Sequence, residues 1–178
     1  MKELSYTVTL NFFVPEDVVE KLNGVQISGP VIFDWRKPHS AHCTVSAIYH
    51  GVGIPDQNLL DSWAEAARSI LSRQEPFEVA VEGLTHWPTA LVSLVHSEEL
   101  KKLHRKLFQV LPSIQPHFAG ENYHPHVSLV KMREEVKTSE RSSMAFGRFK
   151  VDEIQMMLWG LKDLKKATVL HRYSLGKI

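Results

Sequence analysis

The sequence predicts an α+β protein built as one bilobal domain over residues 1–178, its lobes drawn from about 1–85 and 86–178 with the terminal strands exchanging between them. Three observations predict this. Strand-like and helix-like segments are interspersed along the chain. Each half runs strand, helix, then a strand bearing a histidine. No low-complexity linker separates the halves, and 178 residues are enough to bury a self-sufficient core.

The elements follow from local pattern. Leu4 to Val14 alternates, with Tyr6, Val8, Leu10 and Phe12 on one face and Thr7, Thr9 and Asn11 on the other, and reads as a strand. Pro15-Glu16-Asp17 opens a short helix that stops near Asn23-Gly24. Val31 to Asp34 reads as a short strand and Ala41 to Tyr49 as a longer one. Pro55-Asp56 begins a helix to about Arg73, with Leu59, Leu60, Trp63, Ala66, Ala67, Ile70 and Leu71 at helical spacing. Pro76 to Leu84 and Ala90 to Val95 are strands. Ser97 caps a helix whose apolar face is Leu100, Leu103, Leu107, Val110 and Leu111. Pro125 to Lys131 is a strand, Arg133 to Arg148 a polar loop, and Phe149 to Trp159 with Thr168 to Leu175 a closing pair of strands.

Composition narrows the function classes. Apolar residues make up 43% and charged residues 23%, as in ordinary soluble proteins. A net charge of +1 supplies no global field for long nucleic acid, so a small substrate or only the end of a nucleic acid fits better. The single cysteine, Cys43, forms no disulfide framework and suits a reducing compartment. The start of the chain lacks the apolar run of a signal peptide, and no stretch reaches the length of a membrane span. A cytoplasmic monomer with no membrane partner is expected.

Two short stretches carry chemistry. His42-Cys43-Thr44-Val45 and His126-Val127-Ser128-Leu129 share one pattern of histidine, apolar, hydroxyl, apolar. In a strand, side chains at i and i+2 share a face, so each stretch presents an imidazole beside a hydroxyl. Two such surfaces facing each other would surround one cleft. With ten histidines in the chain, about one such pair arises by chance, so the count alone decides little. Their strand setting and matching places in the two halves decide more. Imidazole titrates near neutrality, so one histidine can act as base while the other acts as acid. Thr44 and Ser128 can donate to non-bridging phosphate oxygens. That suits phosphate-ester chemistry without a metal.

Other residues are weaker candidates. His124, two residues before His126, could form a zinc pair with it, but no cysteine pair or nearby carboxylate completes the set, and a positioning role is preferred. His39 stands beside Pro38 in the loop before the first motif. Lys131 and Arg133 follow the second motif and could meet phosphate; Trp35, Trp87 and Tyr123 could stack on a base. Lys101, Lys102, Arg105 and Lys106 read as a solvated helix face, with Glu98 pairing to Lys102. Cys43 reads as a small buried residue rather than a nucleophile. His50, His86, His96, His104, His117 and His171 have surface or packing roles by default.

The residues resemble a known family. Tyr123-His124-Pro125-His126-Val127-Ser128-Leu129 is similar to the aromatic-His-Pro-His-apolar-Thr-Leu signature of the bacterial 2'-5' RNA ligase (RNA 2',3'-cyclic phosphodiesterase) family, within the 2H phosphoesterase superfamily. Ala41-His42-Cys43-Thr44-Val45 matches the first motif less closely, and the segments from Phe149 and to Leu175 resemble the closing strands. The resemblance implies two pseudo-symmetric lobes with antiparallel sheets flanking a central cleft. It implies catalysis by His42 and His126 and phosphate binding by Thr44 and Ser128; Tyr123, His124, Lys131 and Arg133, which flank the second motif, are candidate substrate contacts by position. RNA ends or small cyclic nucleotides are the implied substrates, with no cofactor or metal. The chain departs from the family in having no arginine in Thr89-Ala90-Leu91-Val92 and no small hydroxyls in Met157-Leu158-Trp159-Gly160-Leu161. The missing arginine and the low net charge motivate an alternative: an RNA-end or nucleotide-binding module that does little catalysis.

Overall fold

In the computed structural model, which describes residues 4–27, 29–37, 39–115, 119–133, 142–160 and 167–176, the chain forms a nine-stranded antiparallel sheet and three α-helices. The elements are β1 (Ser5–Phe13), α1 (Glu16–Asn23), β2 (Val31–Asp34), β3 (His42–Val52), α2 (Gln57–Leu71), β4 (Phe77–Trp87), β5 (Ala90–His96), α3 (Glu98–Val110), β6 (His126–Met132), β7 (Ser142–Val151), β8 (Glu153–Gly160) and β9 (Ala167–Ser174).

The strand order is β7-β4-β5-β6-β3-β1-β8-β9, with β2 alongside β6. The junction of β3 and β6 divides it into two groups of four. Chain order does not follow that division: β4 joins the group of β5, β6 and β7, while β8 and β9 return to β1 and β3. Phe12 of β1 meets Phe149 of β7 edge to face at 6.1 Å, so the two groups share one core.

Burial explains where the elements differ from the simple patterns. β1 is a central strand, so both of its faces are covered: Val8, Leu10 and Phe12 are buried, and so are Thr9 and Asn11. α2 is capped by the Asp56 carboxylate, which accepts from the Asn58 amide, and it buries Leu60, Ala64, Ala67 and Leu71. Leu59 falls off that face and is exposed. Ser97 caps α3 as expected, accepting from the Leu100 amide. The buried row of α3 includes His104, while Val110 faces solvent.

The loop expected over Arg133–Arg148 is corrected from Ser142 onward, because β7 begins there; residues 134–141 lie outside the described set. Among the described residues β7 pairs with β4 alone, as an edge strand, so it tolerates exposed Arg148 and Lys150. Phe149–Trp159 is likewise two strands, since β7 ends at Val151 and β8 starts at Glu153 at the other end of the sheet. β8 and β9 pair as expected, from Glu153 opposite Ser174 to Trp159 opposite Ala167. Among the described residues no helix is long and apolar enough to cross a membrane.

Candidate active site

The two histidine motifs lie on adjacent strands. β3 and β6 pair antiparallel through Cys43 opposite Val127, the middle residue of each motif. Both middle side chains are buried in the core. Alternation along each strand puts His42, Thr44, His126 and Ser128 on the other face, all half-buried. The antiparallel sense sets His42 toward Ser128 and Thr44 toward His126. One surface thus carries two imidazoles and two hydroxyls in a near-symmetric array.

Each histidine is oriented in the same way. The Nδ1 atom of His42 lies 2.7 Å from the Ser40 carbonyl oxygen, and that of His126 lies 2.9 Å from the His124 carbonyl oxygen. A carbonyl only accepts, so each Nδ1 carries a hydrogen and donates it. The other nitrogen, Nε2, is left with its lone pair for chemistry. Each ring also meets an indole: His42 stacks on Trp159 at 4.8 Å and 25°, and His126 leans on Trp87 at 4.1 Å and 54°. Burial lowers the pKa of both imidazoles, against the carbonyl bonds that raise it. The charge of His126 lowers His42 further, and that of His124 lowers His126.

The hydroxyls are supported unequally. Thr44 Oγ1 lies 2.9 Å from Asn11 Oδ1, to which it donates. Asn11 Nδ2 donates to Thr9 Oγ1 at 2.6 Å, and Trp159 Nε1 donates to the same oxygen at 2.7 Å. Ser128 instead stands opposite the buried Val92 of β5. Sequence reasoning gave Thr9, Asn11 and Trp159 no role. Their signal was two polar residues at i and i+2 within an apolar strand, which must be paired if both faces are buried.

Beneath the motifs, Tyr123 and His104 tie α3 to β3. The Tyr123 hydroxyl donates to the Thr44 carbonyl at 2.8 Å, and its ring stacks on His104 at 3.9 Å. His104 Nδ1 donates to the Val45 carbonyl at 2.6 Å, and its Nε2 accepts from the Gly120 amide at 2.9 Å. Burial lowers the His104 pKa and raises that of Tyr123 well above its usual value. The structure therefore places Tyr123 under β3, bonded within the fold.

The remaining candidates are dispersed. His124, Lys131 and Arg133 are exposed. His124 meets His126 through its backbone carbonyl, and among the described residues no three His, Cys, Asp or Glu side chains gather closely enough to hold a metal ion. Trp35 packs on Phe33 at 4.9 Å beside β6, and its amide donates to the Leu129 carbonyl. Glu98 pairs with Lys101 at 2.9 Å rather than with Lys102. A cavity of about 270 Å³ is lined by His39, Lys150, Gln155 and the His42 neighbour Phe13, and by none of the four motif side chains. The buried Cys43 thiol is pushed up to about 12 by desolvation.

Comparisons with known proteins bear on the family and the fold. Residues 33–163 match the family model of the 2'-5' RNA ligase superfamily. No curated protein matches the sequence. Among solved structures, one described as a phosphoesterase superposes with a TM-score of 0.70 at 15% identity, covering 95% of this chain and 97% of its own. LigT of E. coli complexed with ATP gives 0.70 at 16% identity, with 98% and 99% covered. LigT complexed with 3'-AMP gives 0.69 at 16% identity, with 96% and 98% covered. At these identities the likeness shows the fold: the mixed α/β architecture around a large antiparallel sheet is that of the phosphoesterase structures.

Proposed function

The chain belongs to the 2'-5' RNA ligase superfamily, and on that premise we propose that it is a phosphodiesterase that opens 2',3'-cyclic phosphates on RNA ends or nucleotides by paired histidine acid–base catalysis, without a metal. The observation that carries this reading is the matched state of His42 and His126. Each donates Nδ1–H to the carbonyl two residues earlier and keeps Nε2 for proton transfer.

The reaction follows from that pair. One neutral Nε2 takes a proton from water as the water oxygen bonds to phosphorus. The other histidine, protonated, gives its Nε2 proton to the ribose oxygen as the phosphorus–oxygen bond breaks. The product is a ring-opened monoester, and the two histidines have exchanged protonation states, which solvent resets. Thr44 and Ser128 face the non-bridging oxygens, where negative charge concentrates. A ribose 5'-hydroxyl in place of water, with O3' leaving, would give a 2'-5' linkage, so ligation uses the same groups.

RNA ends and cyclic nucleotides suit a net charge of +1, and the 3'-AMP held by LigT is a ligand of the corresponding class. We read the chain as one bilobal, monomeric, cytoplasmic domain. A second reading, a nucleotide-binding module with little turnover, is favoured by one feature: burial disfavours the protonated histidine that serves as acid.

Turnover of 2',3'-cyclic nucleotides by the wild-type, His42→Ala and His126→Ala proteins tests the proposal. Loss in both variants supports it. Near wild-type turnover by either variant overturns it, and tight binding without wild-type turnover selects the binding module. A chelator is expected to have no effect.

A further inference from the structure

Resting on the phosphodiester reading above, we propose that Asn11 is a positioning residue that, backed by Thr9 and Trp159, presents the Thr44 hydroxyl as a fixed phosphate donor and makes the His42 motif the tighter phosphate-holding half of the site. Asn11 is fully buried in the middle of the sheet, where an amide persists only if it is paired. Its pairing leads straight to the site, through Thr44 on one side and through Thr9 to Trp159 on the other.

The direction of this chain of bonds can reverse. The Trp159 indole only donates, so Thr9 Oγ1 accepts from it and keeps its own proton to give. With the Asn11 amide oxygen toward Thr9, the amide nitrogen faces Thr44, and the Thr44 proton is released to a non-bridging phosphate oxygen. In the bond pattern described above the amide is turned the other way, and Thr44 spends its proton on Asn11 and can only accept. Both directions use the same heavy-atom positions. An anion needs donors, so it selects the first. Every link then has a donor and an acceptor, from the indole of Trp159 to the phosphate.

Among the described residues the second motif has no such support: Ser128 stands opposite Val92, and no amide bonds its hydroxyl. Trp159 adds to the difference, because the indole that anchors Thr9 also stacks on His42. A site that is nearly symmetric in its histidines is therefore asymmetric in its phosphate donors.

Titration with inorganic phosphate tests this independently of turnover. Asn11→Ala and Thr44→Ala are each expected to weaken phosphate by about tenfold, the size of one hydrogen bond to a charged group. The Asn11→Ala, Thr44→Ala double variant should bind no more weakly than either single one, whereas Asn11→Ala and Ser128→Ala should add. Thr9→Ser should keep the affinity and Thr9→Val should lose part of it, a comparison that serves if Asn11→Ala does not fold. Additive losses for Asn11 and Thr44, equal affinity of the two Thr9 variants, or no phosphate binding by the wild type would overturn the inference. Coupled losses in a protein without turnover would support it while overturning the proposed reaction; turnover with additive losses would do the reverse.

Discussion

Cys43 stands directly opposite Val127 where β3 meets β6, and this one pairing assembles the candidate site. Both side chains are buried in the core, so the histidine and hydroxyl on either side of each must face the other way. A slip of one residue in either strand would bury its histidine and hydroxyl and expose the apolar residue between them. The register that buries the core is therefore the register that displays the chemistry.

Loss of either histidine should remove proton transfer at one end of the reaction. His42→Ala and His126→Ala are each expected to lower kcat/KM for a 2',3'-cyclic nucleotide by on the order of 10²-fold or more. Steady-state kinetics beside a melting curve checks this, because a folded variant at near wild-type rate would remove that histidine from the mechanism.

Much of this was legible in the sequence, for a physical reason. Strand alternation placed His42 beside Thr44 and His126 beside Ser128 without any tertiary information, and helical spacing with the Asp56 and Ser97 caps located α2 and α3. What stayed hidden depends on contacts between distant segments. Nothing local says that β1 is central, so the burial and pairing of Thr9 and Asn11 could not be read. The carbonyls of Ser40 and His124 that orient the imidazoles are backbone groups with no residue signature. His104 looked like any helix histidine until Val45 and Gly120 were brought to it. Polar residues on β7 looked like a loop because an edge strand has a solvent side.

The pH–rate profile should lie on the acid side. His42 and His126 are both held below the ordinary histidine pKa of about 6.5, chiefly by burial. The reaction needs one of them protonated and one neutral, a form most populated between their two pKa values. The optimum of kcat/KM, which reports the free protein, is therefore expected below pH 6.5, falling about tenfold per unit on the alkaline side. An optimum above pH 7 would contradict the assignment.

His104 should make the fold acid-sensitive. Burial lowers its pKa, and its Nε2 accepts from the Gly120 amide, which only the neutral ring can do. Above the unfolded value of about 6.5 neither state takes a proton, and the full stability is present. As the pH falls below that, the unfolded chain is protonated first, and stability declines until the folded pKa is passed. The slope for one proton is about 1.4 kcal/mol per pH unit. Urea unfolding from pH 8 to pH 5 should show His104→Gln less stable than wild type at pH 8, by about 1–3 kcal/mol, yet with a shallower acid decline. Parallel curves would show that His104 does not titrate in this way.

Cys43 sits between a catalytic candidate and a phosphate-binding one, so its silence is a test of the geometry. Its side chain faces the core, and desolvation pushes the thiol up to about 12. At pH 8 the thiolate is then on the order of 10⁻⁴ of the population, and an alkylating reagent has no path to it. Iodoacetamide should label the native protein at least about 10²-fold more slowly than the urea-unfolded chain. Cys43→Ala should lower the melting temperature by leaving a small void while keeping turnover within a few-fold, because the pairing with Val127 is made by the backbone. Rapid labelling of the folded protein that abolishes turnover would mean that Cys43 faces the cleft. His42 and Thr44 would then face the core, and the whole assignment of the site would be inverted.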